Sequence, residues 1–128
     1  PFTSGMSANL VLGQPDFASS ALAASQSGLS LPWGLDLDNA GNLWAADASN
    51  HRVLRFSPPF SNGMAASVVL GQSVFTSAVP AISQTGMDHP TKVKAAQSGE
   101  LWVADYGNHR VLRFSPPFSN GGSAGLVL

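Results

Sequence analysis

The stretch Asn50–Gly63, with the sequence NHRVLRFSPPFSNG, recurs letter for letter at Asn108–Gly121, 58 positions later. The shorter stretch Val11–Gln14, VLGQ, recurs at Val69–Gln72 with the same shift. A fixed period of this length is typical of solenoids, propellers and other repeat arrays, whose units cannot bury their apolar faces alone. The chain therefore holds two full repeats and the opening of a third.

Each repeat contains four short strand signals separated by turns. In the first repeat they lie at 33–38, 43–47, 51–56 and 67–70, and in the second they lie 58 residues later. The first signal alternates apolar and polar residues, and the third is rich in β-branched and aromatic residues. No segment has the length or period of an amphipathic helix. The sequence predicts an all-β chain of four-stranded antiparallel sheets stacked as β-propeller blades, because radial stacking covers both faces of each sheet.

The period also predicts how the chain is divided. Residues 1–14 are expected to be the outer strand of a preceding blade, residues 15–72 the first repeat, and residues 73–128 the second. Long loops at 15–31 and 73–89 precede the inner strand of each blade, and loops of this length are usually functional or disordered. Phe17 and Phe75 occupy matching positions in them, which favours ordered loops that cover the blade edges.

Composition excludes several classes of protein. Charged residues make up only 10% of the chain and the net charge is −1, so no basic surface is available for nucleic acid or anionic lipid. No apolar run approaches the roughly 18 residues that a membrane span needs. Cysteine is absent, which excludes disulfides and thiol chemistry. The weakly charged composition favours an extracellular or cell-surface location.

The segment Asp47–Phe56 and its copy Asp105–Phe114 resemble the NHL repeat, in which an Asn-His pair is followed by Arg and a β-branched residue. The Val11–Phe17 segment is similar to the long-period bacterial form of that repeat. The resemblance implies a β-propeller, typically of six blades, of which this chain holds two. It also implies a possible enzyme, since some propellers related to NHL proteins are lyases or lactone hydrolases with calcium or zinc on the axis.

A polar cluster recurs on the hairpin after the second strand of each repeat. Because it is identical in both repeats, we interpret it as a structural turn motif, in which Asp and Asn satisfy backbone N–H groups. Its members are Asp47, Asn50, His51 and Arg52, with the copies Asp105, Asn108, His109 and Arg110. His89 stands alone before Pro90 and is not expected to be a ligand, and Trp33 and Tyr106 are expected to serve packing and not recognition.

Candidate binding positions lie where matched positions differ between the repeats. Gly34 is replaced by Lys92, Asp36 by Lys94, and Asp38 by Ala96, all on the innermost strands. Asp36, Asp38, Lys92 and Lys94 are therefore candidates for a channel or ring-face site. The alternative is that Asp36 and Lys94 only balance each other's charge near the axis.

These observations favour a non-enzymatic propeller module that acts as a binding or assembly scaffold for a protein or glycan. No phosphate loop, nucleophile elbow or metalloprotease motif is present, so no catalytic residue, metal ligand or cofactor is expected. One alternative is a self-assembling chain, three copies of which close a six-bladed ring or extend into an array, or whose missing blades belong to a longer chain. The other is a piece of a propeller lyase or hydrolase with an axial metal site.

Overall fold

Each repeat forms one antiparallel sheet of four strands in the computed structural model, which describes residues 1–128. The first sheet contains β1 (Pro32–Leu37), β2 (Leu43–Asp47), β3 (Arg52–Phe56) and β4 (Val68–Leu70), in that spatial order. The second contains β5 (Pro90–Ala95), β6 (Leu101–Asp105), β7 (Arg110–Phe114) and β8 (Leu126–Val127), again in chain order. The predicted all-β blades are confirmed, and every strand end lies within one residue of its prediction.

Two local devices set the turns of the first blade. Between β1 and β2, Asp38 Oδ1 accepts the backbone N–H groups of Ala40 and Asn42, each at 3.0 Å. Gly41 completes this turn with a φ of 79°, a conformation that glycine adopts without steric cost. Between β2 and β3, a single 3₁₀ turn over Ala48–Asn50 ends at His51, whose φ of 52° is left-handed. These turns bring consecutive strands into antiparallel register.

The main core lies between the two blades. One face of β2 and β3 packs against the second blade. The largest side chain on this face, Trp44, is 1% exposed. The cluster contains Trp44, Ala46, Val53, Val68, Leu70, Met87, Val93, Leu101, Val103, Leu112, Phe114 and Ala124. The opposite face of the first blade buries Leu54, Phe56 and Val69 beneath inter-blade loop residues. The blades therefore stabilise each other through apolar burial.

The inner strands of the two blades approach most closely at Gly34 on β1. A Cβ atom at this position would lie 2.7 Å from the backbone oxygen of Thr91 and 2.8 Å from the Cα of Lys92. Only glycine allows backbones to come this near, so Gly34 sets the spacing of β1 and β5. The contact places Lys92 and the start of β5 beside the start of β1.

Residues 1–14 contain no strand, although Val11 makes two contacts that its copy Val69 also makes. Val11 accepts the N–H of Gly63 at 3.1 Å and donates to Asn62 Oδ1 at 3.0 Å. Val69 makes the same two contacts with Gly121 and Asn120 and belongs to β4. The assignment of residues 1–14 to a preceding blade stays a prediction. No helix here has the length and apolar character that crossing a membrane would require.

Candidate functional site

The polar cluster on the first hairpin ties the blade to its inter-blade loops. Asp47 is fully buried, and its Oδ2 accepts Arg52 Nε at 2.7 Å and Asn50 Nδ2 at 2.8 Å. Its Oδ1 accepts the backbone N–H of Ser30 at 2.6 Å. The Arg52 guanidinium also donates to the carbonyl oxygens of Ser25, Gly28 and Phe75. The positive charge of Arg52 is thus neutralised by Asp47, and the guanidinium donates hydrogen bonds to protein acceptors, as a buried ion pair requires.

The copy of this cluster in the second blade keeps the same core geometry. Asp105 accepts Arg110 Nε at 2.7 Å and Asn108 Nδ2 at 2.9 Å, and Arg110 donates to the carbonyl oxygens of Ser83 and Gly86. His109 is exposed, whereas its counterpart His51 is 8% exposed. The role of the eight residues as a purely structural turn motif stays a prediction, and His51 has further contacts that His109 lacks.

The carboxylate of Asp36 on β1 is already occupied by protein donors. Asp36 Oδ2 accepts Lys94 Nζ at 3.0 Å and the backbone N–H of Ala95 at 2.9 Å, so the charge-balance alternative describes this pair. The hydrogen bond from Lys94 and the one from Ala95 lower the pKa of Asp36. Lys94 remains 74% exposed along its side chain, and Lys92 lies on the surface.

Asp38 is similarly committed to its own turn. Desolvation raises its pKa, but hydrogen bonds from Asn42 and from Trp44 Nε1, the latter at 2.9 Å, outweigh this and lower the pKa overall. Three donors reach Asp38 Oδ1 and two reach Oδ2, so the carboxylate has no unused lone pair. Asp36 and Asp38 therefore do not fit an axial metal ion, and no step of a reaction is assigned to one there.

A pocket opens where the starts of β1 and β5 meet the two hairpin turns. Its cavity volume is about 530 Å³, a size typical of sites for small ligands. The residues around it are Leu31, Trp33, Ala48, Ser49, His89, Thr91, Lys92 and Tyr106. Trp33 is 70% exposed and Tyr106 is 69% exposed, so the prediction that these two rings serve packing is wrong. Trp33 lies on β1 and Tyr106 lies on the 3₁₀ turn after β6, and both rings line the pocket.

Three ionisable side chains from the two blades meet at the edge of this pocket. His51 comes from the first hairpin, and Asp88 and His89 come from the end of the second inter-blade loop. Asp88 Oδ1 lies 2.6 Å from His89 Nδ1 and 3.0 Å from His51 Nδ1, and the two rings meet edge to face at 4.4 Å. His89, which is isolated in the sequence, is therefore part of a cluster.

The signal that locates this cluster is again a difference between repeats. Ser30 is replaced by Asp88 and Leu31 by His89, immediately before the inner strand. Leu31 and His89 share a left-handed backbone, with φ values of 52° and 46°, so the chain path is the same and only the side chain changes. The position of His51 beside them requires the three-dimensional packing of the blades, because 38 residues separate His51 from His89.

Comparison with known proteins identifies the repeats and their relatives. The family model described as NHL repeat matches residues 29–56 and 87–114. A probable peptidyl-alpha-hydroxyglycine alpha-amidating lyase of Caenorhabditis elegans is 33% identical over 85 residues, which is 66% of this chain and 22% of that protein. Peptidyl-alpha-hydroxyglycine alpha-amidating lyase 2 of Drosophila melanogaster is 34% identical over 86 residues, 66% of this chain and 20% of that protein.

These relatives correct the functional expectation. The chain is similar to enzymes, and the Drosophila lyase 1 adds a third, at 34% identity over 86 residues and 15% of its length. The prediction of a non-enzymatic binding or assembly scaffold is therefore wrong, because catalytic motifs from other folds are a poor guide to a propeller enzyme. The chain spans about a fifth of the length of the curated relatives it matches. With one match to the repeat model on each of the two propeller blades, residues 29–56 and 87–114 are NHL repeats.

Proposed function

We propose that this chain supplies two neighbouring blades of a propeller lyase that acts on peptides ending in α-hydroxyglycine. The observation that carries the proposal is the similarity to three amidating lyases over about two thirds of the chain. The matched length of 85 or 86 residues is close to the distance from the start of the first match to the repeat model to the end of the second, residues 29–114. Fold alone would not support an activity, so the proposal also needs a site of suitable chemistry.

The pocket at the starts of β1 and β5 has that chemistry. Its cavity of about 530 Å³ can hold the terminal residues of a peptide. Trp33 and Tyr106 offer exposed aromatic faces for the preceding side chain. The Lys92 ammonium on the same wall can pair with the terminal carboxylate of the substrate, since no acidic side chain of the chain neutralises it. Lys94, two residues on, is held by Asp36 and is not available for this task.

The reaction breaks one carbon–nitrogen bond and moves one proton from oxygen to nitrogen, all around a single carbon. The hydroxyl group and the amide nitrogen of an α-hydroxyglycine are bonded to the same α-carbon. Loss of the hydroxyl proton lets the oxygen form a carbonyl while the carbon–nitrogen bond breaks, and the departing nitrogen takes up a proton to give the peptide amide. The second product is a two-carbon oxo acid. The role of this chain is to bind the terminal carboxylate and hold the α-carbon in place, which lowers the barrier through orientation.

The test is an assay on the chain encoded by the whole gene, with a peptide ending in α-hydroxyglycine and mass detection of the amidated product. We expect enzyme-dependent amide formation, and Lys92→Ala should raise KM about tenfold because one charge-assisted contact is lost. Lys94→Ala is the matched control and should leave KM within about twofold. A folded protein that forms no amide above the uncatalysed rate would contradict the proposal.

A further inference from the structure

We propose that His51, Asp88 and His89 bind a divalent transition-metal ion of the zinc class between the two blades. One ligand atom of each residue lies within 4.8 Å of the other two. The site is separate from the axial carboxylates, because Asp36 and Asp38 are occupied by protein donors. It also stands independently of the lyase activity, since it rests on the geometry of these three side chains.

The contacts within the cluster can be satisfied by one shared cation. His51 Nδ1 accepts the backbone N–H of His89 at 3.2 Å, so this nitrogen presents a lone pair. The same nitrogen lies 3.0 Å from Asp88 Oδ1, which as a carboxylate oxygen also offers only lone pairs. Two acceptors at this distance repel each other unless a positive charge lies between them. A metal ion bound there would take over the single lone pair of His51 Nδ1 from the His89 N–H and would satisfy both atoms together.

The repeats differ in a coordinated way at this site. Where the first repeat has Ser30, Leu31 and Ser49, the second has Asp88, His89 and Gly107. A Cβ atom at Gly107 would lie 2.6 Å from Asp88 Cγ, so the loss of the side chain at Gly107 makes room for the carboxylate. The side chains that could bind an ion thus occur together with the space that they need.

The surrounding backbone holds the donors in place. Asp88 donates its N–H to Asp105 Oδ1 at 2.6 Å and accepts the N–H of Gly107 at 2.8 Å. On the other blade, Gln72 Nε2 donates to the carbonyl oxygen of His51 at 3.0 Å. Ordered supporting contacts of this kind orient metal ligands and raise their affinity. The cluster therefore sits on a fixed frame that spans the blade interface.

Two imidazoles and one carboxylate favour zinc and its transition-metal neighbours over calcium, which prefers oxygen donors. Donor atoms on a tetrahedral zinc ion lie roughly 3.3 Å apart, close to the 3.0 Å between His51 Nδ1 and Asp88 Oδ1. The 2.6 Å contact between His89 and Asp88 must lengthen when its proton leaves on binding. Three protein ligands leave a fourth position for water or a small ligand, and His89 places that position beside the pocket.

The test is a titration of metal-free protein with Zn²⁺ by calorimetry, with Co²⁺ absorption as a report on geometry and Ca²⁺ as the comparison ion. We expect one zinc ion per chain and tetrahedral cobalt bands. His89→Leu and Asp88→Ser carry the residues of the first repeat and should each lower zinc affinity about 100-fold or more. Gly107→Ser should lower it about tenfold by displacing Asp88.

The matched control uses the two copies of the hairpin histidine. His51→Asn should abolish stoichiometric binding, and His109→Asn should leave it unchanged, because asparagine tolerates the left-handed backbone at both positions. Circular dichroism melting verifies that each variant is folded. Absence of stoichiometric zinc in the parent would show that a proton alone holds His51 against Asp88, and it would overturn the proposal. Equal zinc affinity in His89→Leu and the parent would overturn it as well.

Discussion

The two blades share fourteen consecutive residues, yet these residues have different surroundings in each blade. Val53 on β3 is fully buried, whereas its copy Val111 on β7 is 36% exposed. On the inner strands the difference runs the other way, since Leu35 is 68% exposed and its counterpart Val93 is 3% exposed. Each blade has one face that meets the other blade and one that does not. Burial in this chain is therefore set by the neighbouring blade and not by the local sequence.

The same comparison bears on how further blades could be added. In a ring of three chains, the second blade of one copy would meet the first blade of the next. Lys92 would then occupy the place that Gly34 holds between the two blades of one chain, where a Cβ atom would lie 2.7 Å from a backbone oxygen. That interface must be wider at this point than the one within the chain. The homotrimer stays a prediction, as does completion by blades of a longer chain.

The largest expected difference between the copies concerns the buried arginines. Arg52→Ala should lower the free energy of unfolding by about 5 kcal/mol, because it leaves the buried Asp47 carboxylate without its partner. Arg110→Ala should cost about half as much, since Arg110 is partly exposed and has no contact equivalent to that of Arg52 with Phe75. Urea unfolding of both variants measures the difference. Equal losses would mean that the inter-blade contacts of Arg52 add nothing.

The tryptophans on β2 and β6 provide a second comparison. Trp44→Ala should lower the free energy of unfolding by about 3–5 kcal/mol, the range for truncation of a large buried aromatic residue. Trp102→Ala should cost less, because Trp102 is only partly buried and lacks the hydrogen bond that Trp44 makes to Asp38. Thermal melts of the two variants give the ranking. A larger loss at Trp102 would show that the second blade is covered in solution by another surface.

A smaller effect should follow from Asp38, whose counterpart Ala96 has no carboxylate. Asp38→Asn should lower the free energy of unfolding by about 1–2 kcal/mol at neutral pH, because it weakens the hydrogen bonds from Asn42 and Trp44. Because the folded-state pKa of Asp38 is lowered, its contribution is complete above the ordinary Asp pKa of about 3.9 and is lost as the pH falls through the folded pKa. Unfolding measured between pH 6 and about 2 should therefore show the two proteins converging in acid. A constant difference over that range would exclude this role for the carboxylate.

Particular residues show how far sequence reasoning extends. The strands follow from alternation and turn residues, since Trp33–Asp38 alternates strictly and the Asn39–Asn42 turn is rich in turn formers. The pocket could not be predicted, because Trp33 and Tyr106 belong to different repeats and come together only when the blades pack. In the sequence His51 and His109 belong to one repeated motif, and the contact with His89 that distinguishes His51 is a property of the interface between the blades. The sequence signal for the site is that the two repeats differ at positions 30–31 and 48–49 and their copies.

Hydrogen exchange on β3 and β7 tests the central claim most directly, because these strands have identical sequences and the same intrinsic exchange rates. The measurement follows amide protection in Arg52–Phe56 and Arg110–Phe114 at a concentration at which native mass spectrometry detects single chains. The burial of β3 between the blades predicts protection at least about tenfold greater in β3 than in β7, whose outer side has no neighbouring blade. Equal protection of the two strands in single chains would contradict the claim that the neighbouring blade determines the environment of each repeat.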